Sequence, residues 1–297
     1  MSSKKNLGSR LEALGHWFFY MTLRLFGLRG AYLLLWPVIF SYVACSAKIH
    51  RQTAPYFSRR FPEHGPWQRK ADTFFNLMNF GRVLVDRAWL GTCTNAALKG
   101  NFIGYDALLQ TLAQGKGLVL LTAHIGNWQT ALANLETLPV KVHALMQYDM
   151  AAAAKHYFDL QKKARAFEII DVDSPFGGMI EAAAALQKGE VVTIMGDRYL
   201  KGPASTVDFF GSAVRIPDAA YILAATTQAP VAIILAAKTG MKDYELKVWD
   251  IFTPVSQSRE DRPAMLRDCC RRFTGILEKH LRKHPYQWYN FFDFWQQ

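Results

Sequence analysis

The sequence predicts an α/β fold, a mixed and mostly parallel sheet flanked by helices, behind an N-terminal helical membrane anchor. Three observations carry this expectation. Six short apolar runs recur along the chain, at Gly117–Thr122, Val142–Met146, Glu168–Val172, Val191–Met195, Val231–Ala236 and Tyr244–Ile251. Helical stretches lie between most of them, at Trp128–Leu135, Ala151–Phe167, Gly178–Gln187 and Asp218–Thr227. Strands that are apolar on both faces and separated by helices suit a sheet covered on both sides. The third observation is a long, apolar and basic N-terminal segment. The expected organisation is an anchoring segment over 1–50 and a folded domain over 51–297.

The N-terminal segment is justified by its charge and apolar content. The chain has 297 residues, 51% hydrophobic and 20% charged, which excludes a disordered chain and is ample for a core. Its net charge of +11 is unevenly spread. Nine Lys and Arg and one acid, Glu12, occupy the first 60 residues, and no Asp or Glu occurs from Ala13 to Pro62. The other 237 residues hold 26 Lys and Arg against 23 Asp and Glu. From Trp17 to Ala47, 23 of 31 residues are apolar, and the longest uncharged run is Gly30–Ala47. Eighteen residues is at the lower edge of a bilayer span, roughly 17–25 residues. Arg24 and Arg29 interrupt the preceding half, so 17–29 reads as an interfacial helix. A basic and apolar segment points to an anionic membrane surface, and nucleic acid is not expected as a partner. A cleaved signal fits poorly, because two arginines lie within the apolar stretch and the first small-residue site comes late.

The remaining elements follow in order. Arg51–Gln68, with Pro55, Pro62 and Pro66, reads as an exit from the membrane segment. Ala71–Leu90 has helical apolar spacing. The strands and helices named above come next, and Pro263–Lys283 closes the chain as an amphipathic helix stopped by Pro285. The four cysteines, Cys45, Cys93, Cys269 and Cys270, form no C-x-x-C pair and read as reduced thiols.

The chemistry concentrates after the first apolar run, in Ala123-His124-Ile-Gly126-Asn127-Trp128-Gln129. Ligands of open α/β sheets bind beyond the carboxyl ends of strands, which is where His124 falls. Gly126 permits a tight turn, and Asn127 suits a helix N-cap. A neutral imidazole there can take a proton from a hydroxyl, beside helix N–H groups able to hold an oxyanion. The plain alternative is a core histidine before a helix. A second strand ends in Met195-Gly-Asp197-Arg198, followed by Asp208-Phe209-Phe210-Gly211 and Arg215-Ile-Pro217. Arg198 and Arg215 read either as phosphate ligands or as surface ion pairs.

Four blocks in this order resemble the lysophospholipid acyltransferase superfamily, in its bacterial lipid A biosynthesis branch. They are Gly27-Leu-Arg29-Gly-Ala-Tyr32, Ala-His124-Ile-Gly-Asn-Trp128-Gln129, Gly-Asp197 with Phe209-Phe210-Gly211 and Pro217, and Pro285-x-Gln-Trp288. The resemblance implies an enzyme on the cytoplasmic face of the bacterial inner membrane. It implies transfer of an acyl chain from a thioester, on acyl carrier protein or coenzyme A, to a hydroxyl of a glycolipid such as a lipid A precursor. His124 is then the base, and backbone N–H groups at Gly126, Asn127 and Trp128 hold the oxyanion. Arg198, Arg215 and Arg165 bind phosphate, with Phe210 and Gly211 at the substrate. A thioester is already activated, so neither a metal nor another cofactor is expected, and no acyl-enzyme forms.

One position departs from the family pattern. The signature is His, four residues, then Asp or Glu, and here Gln129 holds that place. Glutamine can accept an Nδ1–H bond but supplies no charge. Three readings stay open: a slower enzyme oriented by Gln129, compensation by another acid such as Asp197, or a noncatalytic acyl-lipid-binding relative.

Other chemistries lack their markers. The chain has no G-x-S-x-G, no G-x-G-x-x-G and no phosphate-binding G-x-x-x-x-G-K-[ST]. His280 and His284 read as the solvated end of a basic helix. Arg267, Arg271, Arg272, Arg282 and Lys283 form a basic face that suits an acidic carrier protein or plain solvation.

Overall fold

A computed structural model of the chain describes residues 2–92, 96–127, 138–147, 167–199 and 201–296. Three helices open it: α1 over Ser2–Cys45, α2 over Ala47–Arg60 and α3 over Pro66–Thr92. Helix α1 is broken at Gly27, whose φ of 63° is left-handed. Beyond that kink, Leu28, Ala31 and Leu35 pack against Met78, Val85 and Trp89 of α3. Gly81 lets the two helices approach, because a Cβ there would lie 3.0 Å from Leu35. The opposite side of α1 leaves Leu33 70% and Phe40 68% exposed. The helix is long and apolar enough to cross a membrane, with a candidate span at Trp17–Cys45.

The exit expected over Arg51–Gln68 begins as helix, within residues 47–60. They form α2, with Pro55 inside it, capped where Ser46 Oγ accepts from Ile49 N. Ile49, Thr53, Tyr56 and Phe57 are buried at helical spacing. Tertiary burial of that stripe outweighs the proline.

The rest of the chain builds the sheet. In order come β1 (Lys99–Ile103), α4 (Tyr105–Leu112), β2 (Leu118–Thr122), β3 (Val142–Met146) and β4 (Glu168–Asp171). They are followed by α5 (Met179–Gln187), β5 (Val191–Met195), β6 (Ala204–Phe209), β7 (Ser212–Pro217), α6 (Ala219–Thr227), β8 (Val231–Lys238), β9 (Asp243–Phe252) and α7 (Arg262–Lys283). Seven strands form one sheet in the order β1-β9-β8-β2-β5-β3-β4, and β6 and β7 form a separate hairpin. Every pair in the large sheet is parallel except β8 with β9. The fold is therefore the mixed, mostly parallel α/β sheet expected. Each of the six apolar runs is a strand. The expected helices at 128–135 and 151–167 lie outside the described residues, Phe167 aside.

Strand β2 shows why both faces are apolar. Leu118 and Leu120 enter one core with Leu108 and Leu112 of α4, and Val119 and Leu121 enter the other with residues of α5, α6 and α7. Alternation at a period of two sends neighbours to opposite faces, so an unbroken apolar run fills two cores. Strand β1 has an almost fully exposed edge sequence, Lys-Gly-Asn-Phe-Ile, and carries no such signal.

Cys269 and Cys270 are free and buried, and Cys45 is free and exposed. Cys93 lies outside the described residues.

Helix α7 packs the stripe expected of it and adds His280, which is 4% exposed. His280 is therefore not part of a solvated face. Burial pushes its pKa down to about 3 from 6.5. Between these values the unfolded chain binds a proton that the folded chain does not, so stability is lost as pH is lowered, by up to about 1.4 kcal/mol per unit. His280→Leu should remove that slope between pH 6.5 and 4, as read by urea unfolding in detergent.

Candidate active site

The site is built at the shared carboxyl edge of β2 and β5. These strands are parallel neighbours, and Thr122 is paired with Met195 at their ends. Gly196 N donates to Thr122 O at 2.9 Å, carrying the pairing one step further. His124 and Asp197 each lie two residues past their strand, so equal offsets in register set them side by side. Gly196 is needed where it stands, since a Cβ would come within 2.9 Å of Leu121 and 3.1 Å of Phe273.

His124 Nδ1 lies 2.8 Å from Asp197 Oδ1, and the His124 backbone N–H donates to Oδ2 at 2.8 Å. Trp288 Nε1 donates to the same Oδ2 at 2.8 Å. The Asp197 carboxylate is 0% exposed. Burial alone would raise its pKa. The charge of His124, together with the bonds from His124 and Trp288, outweighs burial and holds the carboxyl below its ordinary 3.8. An ionised carboxylate accepts only, so Nδ1 of His124 donates to it, and in the neutral ring the lone pair is left on Nε2. The His124 side chain is partly exposed, unlike its partner.

The C-terminal segment forms one wall. Ile125 and Trp288 make an antiparallel bridge, Tyr289 N donates to His124 O at 2.7 Å, and Gly126 N donates to Gln287 O at 3.1 Å. Asn76 Nδ2 of α3 donates to the Tyr286 and Trp288 carbonyls. The Asn290 side chain donates to Asp197 O at 2.9 Å and accepts from Arg198 at 3.3 Å.

Gly126 makes the turn, with φ of 51°. Its N–H already serves Gln287, so the oxyanion donors expected at this turn do not include it. A Cβ at Gly126 would sit 2.5 Å from Ala236 O and 2.8 Å from its carbonyl carbon. Neither backbone atom can give way. Gly126→Ala should cost the left-handed penalty of about 1–2 kcal/mol plus that overlap, and displace His124. A lowered urea midpoint together with lowered kcat is the expected result.

Asn127 is buried beside Tyr244. Tyr244 belongs to a cluster on the buried Asp86 of α3. Tyr32 of α1 and Tyr244 both donate to Asp86, and Lys238 Nζ donates at 2.6 Å. Gln287 brackets Lys238 through both of its backbone groups, at 2.7 and 2.8 Å. The loop after His124 is thus tied through buried polar groups to the helix that carries the apolar surface.

The other expected residues are placed as follows. The guanidinium of Arg198 lies over the Phe292 ring at 5.1 Å, and its Nε is buried without a partner. Arg215 stacks over Tyr199 at 4.2 Å and donates to its hydroxyl at 2.8 Å. Arg215 is thus held against the segment that follows Asp197 and Arg198 against the C-terminal segment, and among the described residues neither is ion-paired. Phe210 and Gly211 form the β6–β7 turn, where Phe210 N donates to Glu278 and Gly211 N to Asp208. Their link to the His124–Asp197 pair runs through the edge-to-face rings of Tyr56, Phe209 and Trp288. Trp128, Gln129 and Arg165 lie outside the described residues. Sequence reasoning gave no role to Asp86. It marked Gln287, Trp288 and Asn290 only through the Pro285-x-Gln-Trp288 block and the aromatic Tyr286–Trp295 run, which it read as packing near the acyl channel or closing the core.

Comparison with known families decides the identity. The family model for bacterial lipid A biosynthesis acyltransferase matches residues 46–297, most of the chain. The chain belongs to that family. Membership supports acyltransferase activity in lipid A biosynthesis and, with the apolar helix α1, association with a membrane. No curated protein matches the chain significantly. In this acyltransferase, among the described residues, Asp197 is the carboxylate bonded to Nδ1 of His124.

Proposed function

We propose that this acyltransferase moves a fatty acyl chain from a thioester, carried by acyl carrier protein, to a hydroxyl of a glycolipid of the lipid A precursor class, at the cytoplasmic face of the inner membrane. The observation that carries the reading is the His124–Asp197 pair, with Nδ1 held by a buried carboxylate at 2.8 Å. His124 Nε2 takes the proton of the acceptor hydroxyl as its oxygen attacks the thioester carbonyl. Asp197 orients the ring and offsets the imidazolium charge. Backbone N–H groups at Asn127 and Trp128 take the oxyanion. The tetrahedral intermediate collapses by breaking the carbon–sulfur bond. The thiolate leaves and takes the proton back from His124, giving an ester and a free thiol. Arg198 and Arg215, with Arg165, supply charge for phosphate on the acceptor or on the carrier's prosthetic arm.

The noncatalytic reading rested on Gln129. With Asp197 bonded to Nδ1, an orienting carboxylate is present without residue 129. Gln129→Glu should then change kcat less than tenfold. The basic face of α7 suits an acidic carrier, although Arg272 is paired with Asp250 and Arg282 with Glu278.

The test is purified full-length protein in detergent, given acyl carrier protein thioester and a lipid A precursor, with the product read by mass spectrometry. A lipid heavier by one acyl group in place of a hydroxyl hydrogen supports the reading. No product with carrier thioester or acyl-coenzyme A, on this acceptor or on phospholipid, would overturn it. Product from coenzyme A alone would reassign the donor.

A further inference from the structure

The elbow between α2 and α3 holds a cavity of about 510 Å³, lined in part by His50, His64, Pro66, Arg69 and Lys70. None of its lining residues is acidic. The nearest buried acid, Asp72, is committed to His64 Nδ1 at 2.8 Å and to the Tyr286 hydroxyl at 3.0 Å. Glu63 is exposed and lies 3.8 Å from His64 Nε2. Pro66 opens a helix of 27 residues, so the positive end of its dipole faces the same cavity.

The surface beside this cavity is apolar. Trp67 is 80% exposed, with Lys70 Nζ over its ring at 4.6 Å, and Phe75 is 45% exposed on the same helix. Phe75 contacts Phe74, whose ring packs at 5.3 Å on exposed Trp36 of α1. His50 also reaches back to the Val43 carbonyl of α1 at 2.7 Å. The exposed face of α1 therefore continues across α3 to the cavity mouth. A tryptophan with a cation beside it suits the headgroup level of a bilayer.

We infer that this elbow is a binding site for the phosphate of an anionic lipid headgroup, held by Arg69 and Lys70 at the start of α3 while Trp67 enters the interface. The inference rests on membrane association of the chain but not on acyl transfer. Continuity with the apolar face of α1 favours a lipid phosphate over a free one.

The test measures partition of the full chain between detergent-free buffer and vesicles of phosphatidylcholine, with or without roughly a fifth phosphatidylglycerol. The wild type should prefer anionic vesicles. Arg69→Gln with Lys70→Gln should lower that preference by about fivefold per cation, on the order of 20-fold in all, and leave binding to neutral vesicles unchanged. Lys48→Gln with Arg51→Gln removes equal charge from α2 outside the cavity lining and should cost only a few fold. Equal losses in the two double variants would show a diffuse field and overturn the site. Inorganic phosphate that raises the melting temperature of the wild type but not of the Arg69/Lys70 variant, without any vesicle preference, would reassign the site to free phosphate. Equal wild-type binding to both vesicles removes the proposal and leaves membrane association standing. Binding to neither removes both.

Discussion

His124→Ala should lower kcat by roughly 10²–10⁴, the range a positioned general base supplies, with a smaller change in KM. The alanine cannot accept the hydroxyl proton, and its removal also strands Asp197, which keeps two donors, the residue 124 N–H and Trp288 Nε1. An anion buried to 0% exposure that loses a hydrogen-bond donor is costly, so some stability should be lost as well. Urea unfolding in detergent separates that loss from catalysis. His124→Gln keeps much of the volume and a polar contact, so its fold should be better preserved while turnover remains low. Turnover within a few fold of wild type in both variants would end the assignment of His124 as base.

Asp197→Asn should lower kcat by up to about 10⁴, the cost of the equivalent change in a Ser-His-Asp triad. The reason is geometric. Oδ2 accepts from two donors, His124 N and Trp288 Nε1, whereas Oδ1 faces His124 Nδ1 alone. The amide therefore places its single oxygen toward the two donors and its NH₂ toward Nδ1. Nδ1 must then accept, the proton moves to Nε2, and the base is lost. Trp288→Phe removes one of these donors without disturbing the carboxylate, and its expected cost is nearer tenfold. The acid limb of stability changes too. The depressed Asp197 pKa contributes stability that is present above the ordinary 3.8 and lost as pH falls through the folded value. Asp197→Asn should flatten that limb. A kcat reduced less than tenfold by Asp197→Asn would return the orienting role to another residue, Gln129 first.

The parts legible in the sequence were those set by local pattern. Runs such as Val191–Met195 are apolar at every position, and that pattern has few outcomes other than a buried strand. His124 stood out because it follows such a run and precedes a glycine turn. The helix over residues 47–60 was not legible because Pro55 is a local breaker signal, whereas the stripe of Ile49, Thr53, Tyr56 and Phe57 gains its energy from elements distant in sequence. His280 was misread for the same reason, since the stripe of α7 is wide enough to bury a polar ring.

Composition and periodicity were sufficient for the class of sheet, the apolar N-terminal helix and the candidate base, because each depends on neighbours a few residues away. The partner of that base was not accessible in the same way. Asp197 is 73 residues from His124 and Trp288 is 91 from Asp197, and nothing local in the chain relates them. They meet because β2 and β5 pair in register and the segment after α7 folds back along residues 124–126. Strand order and register are long-range choices made by two-sided burial. The carboxylate bonded to His124 accordingly lies just past the neighbouring strand, not on the segment after His124 itself.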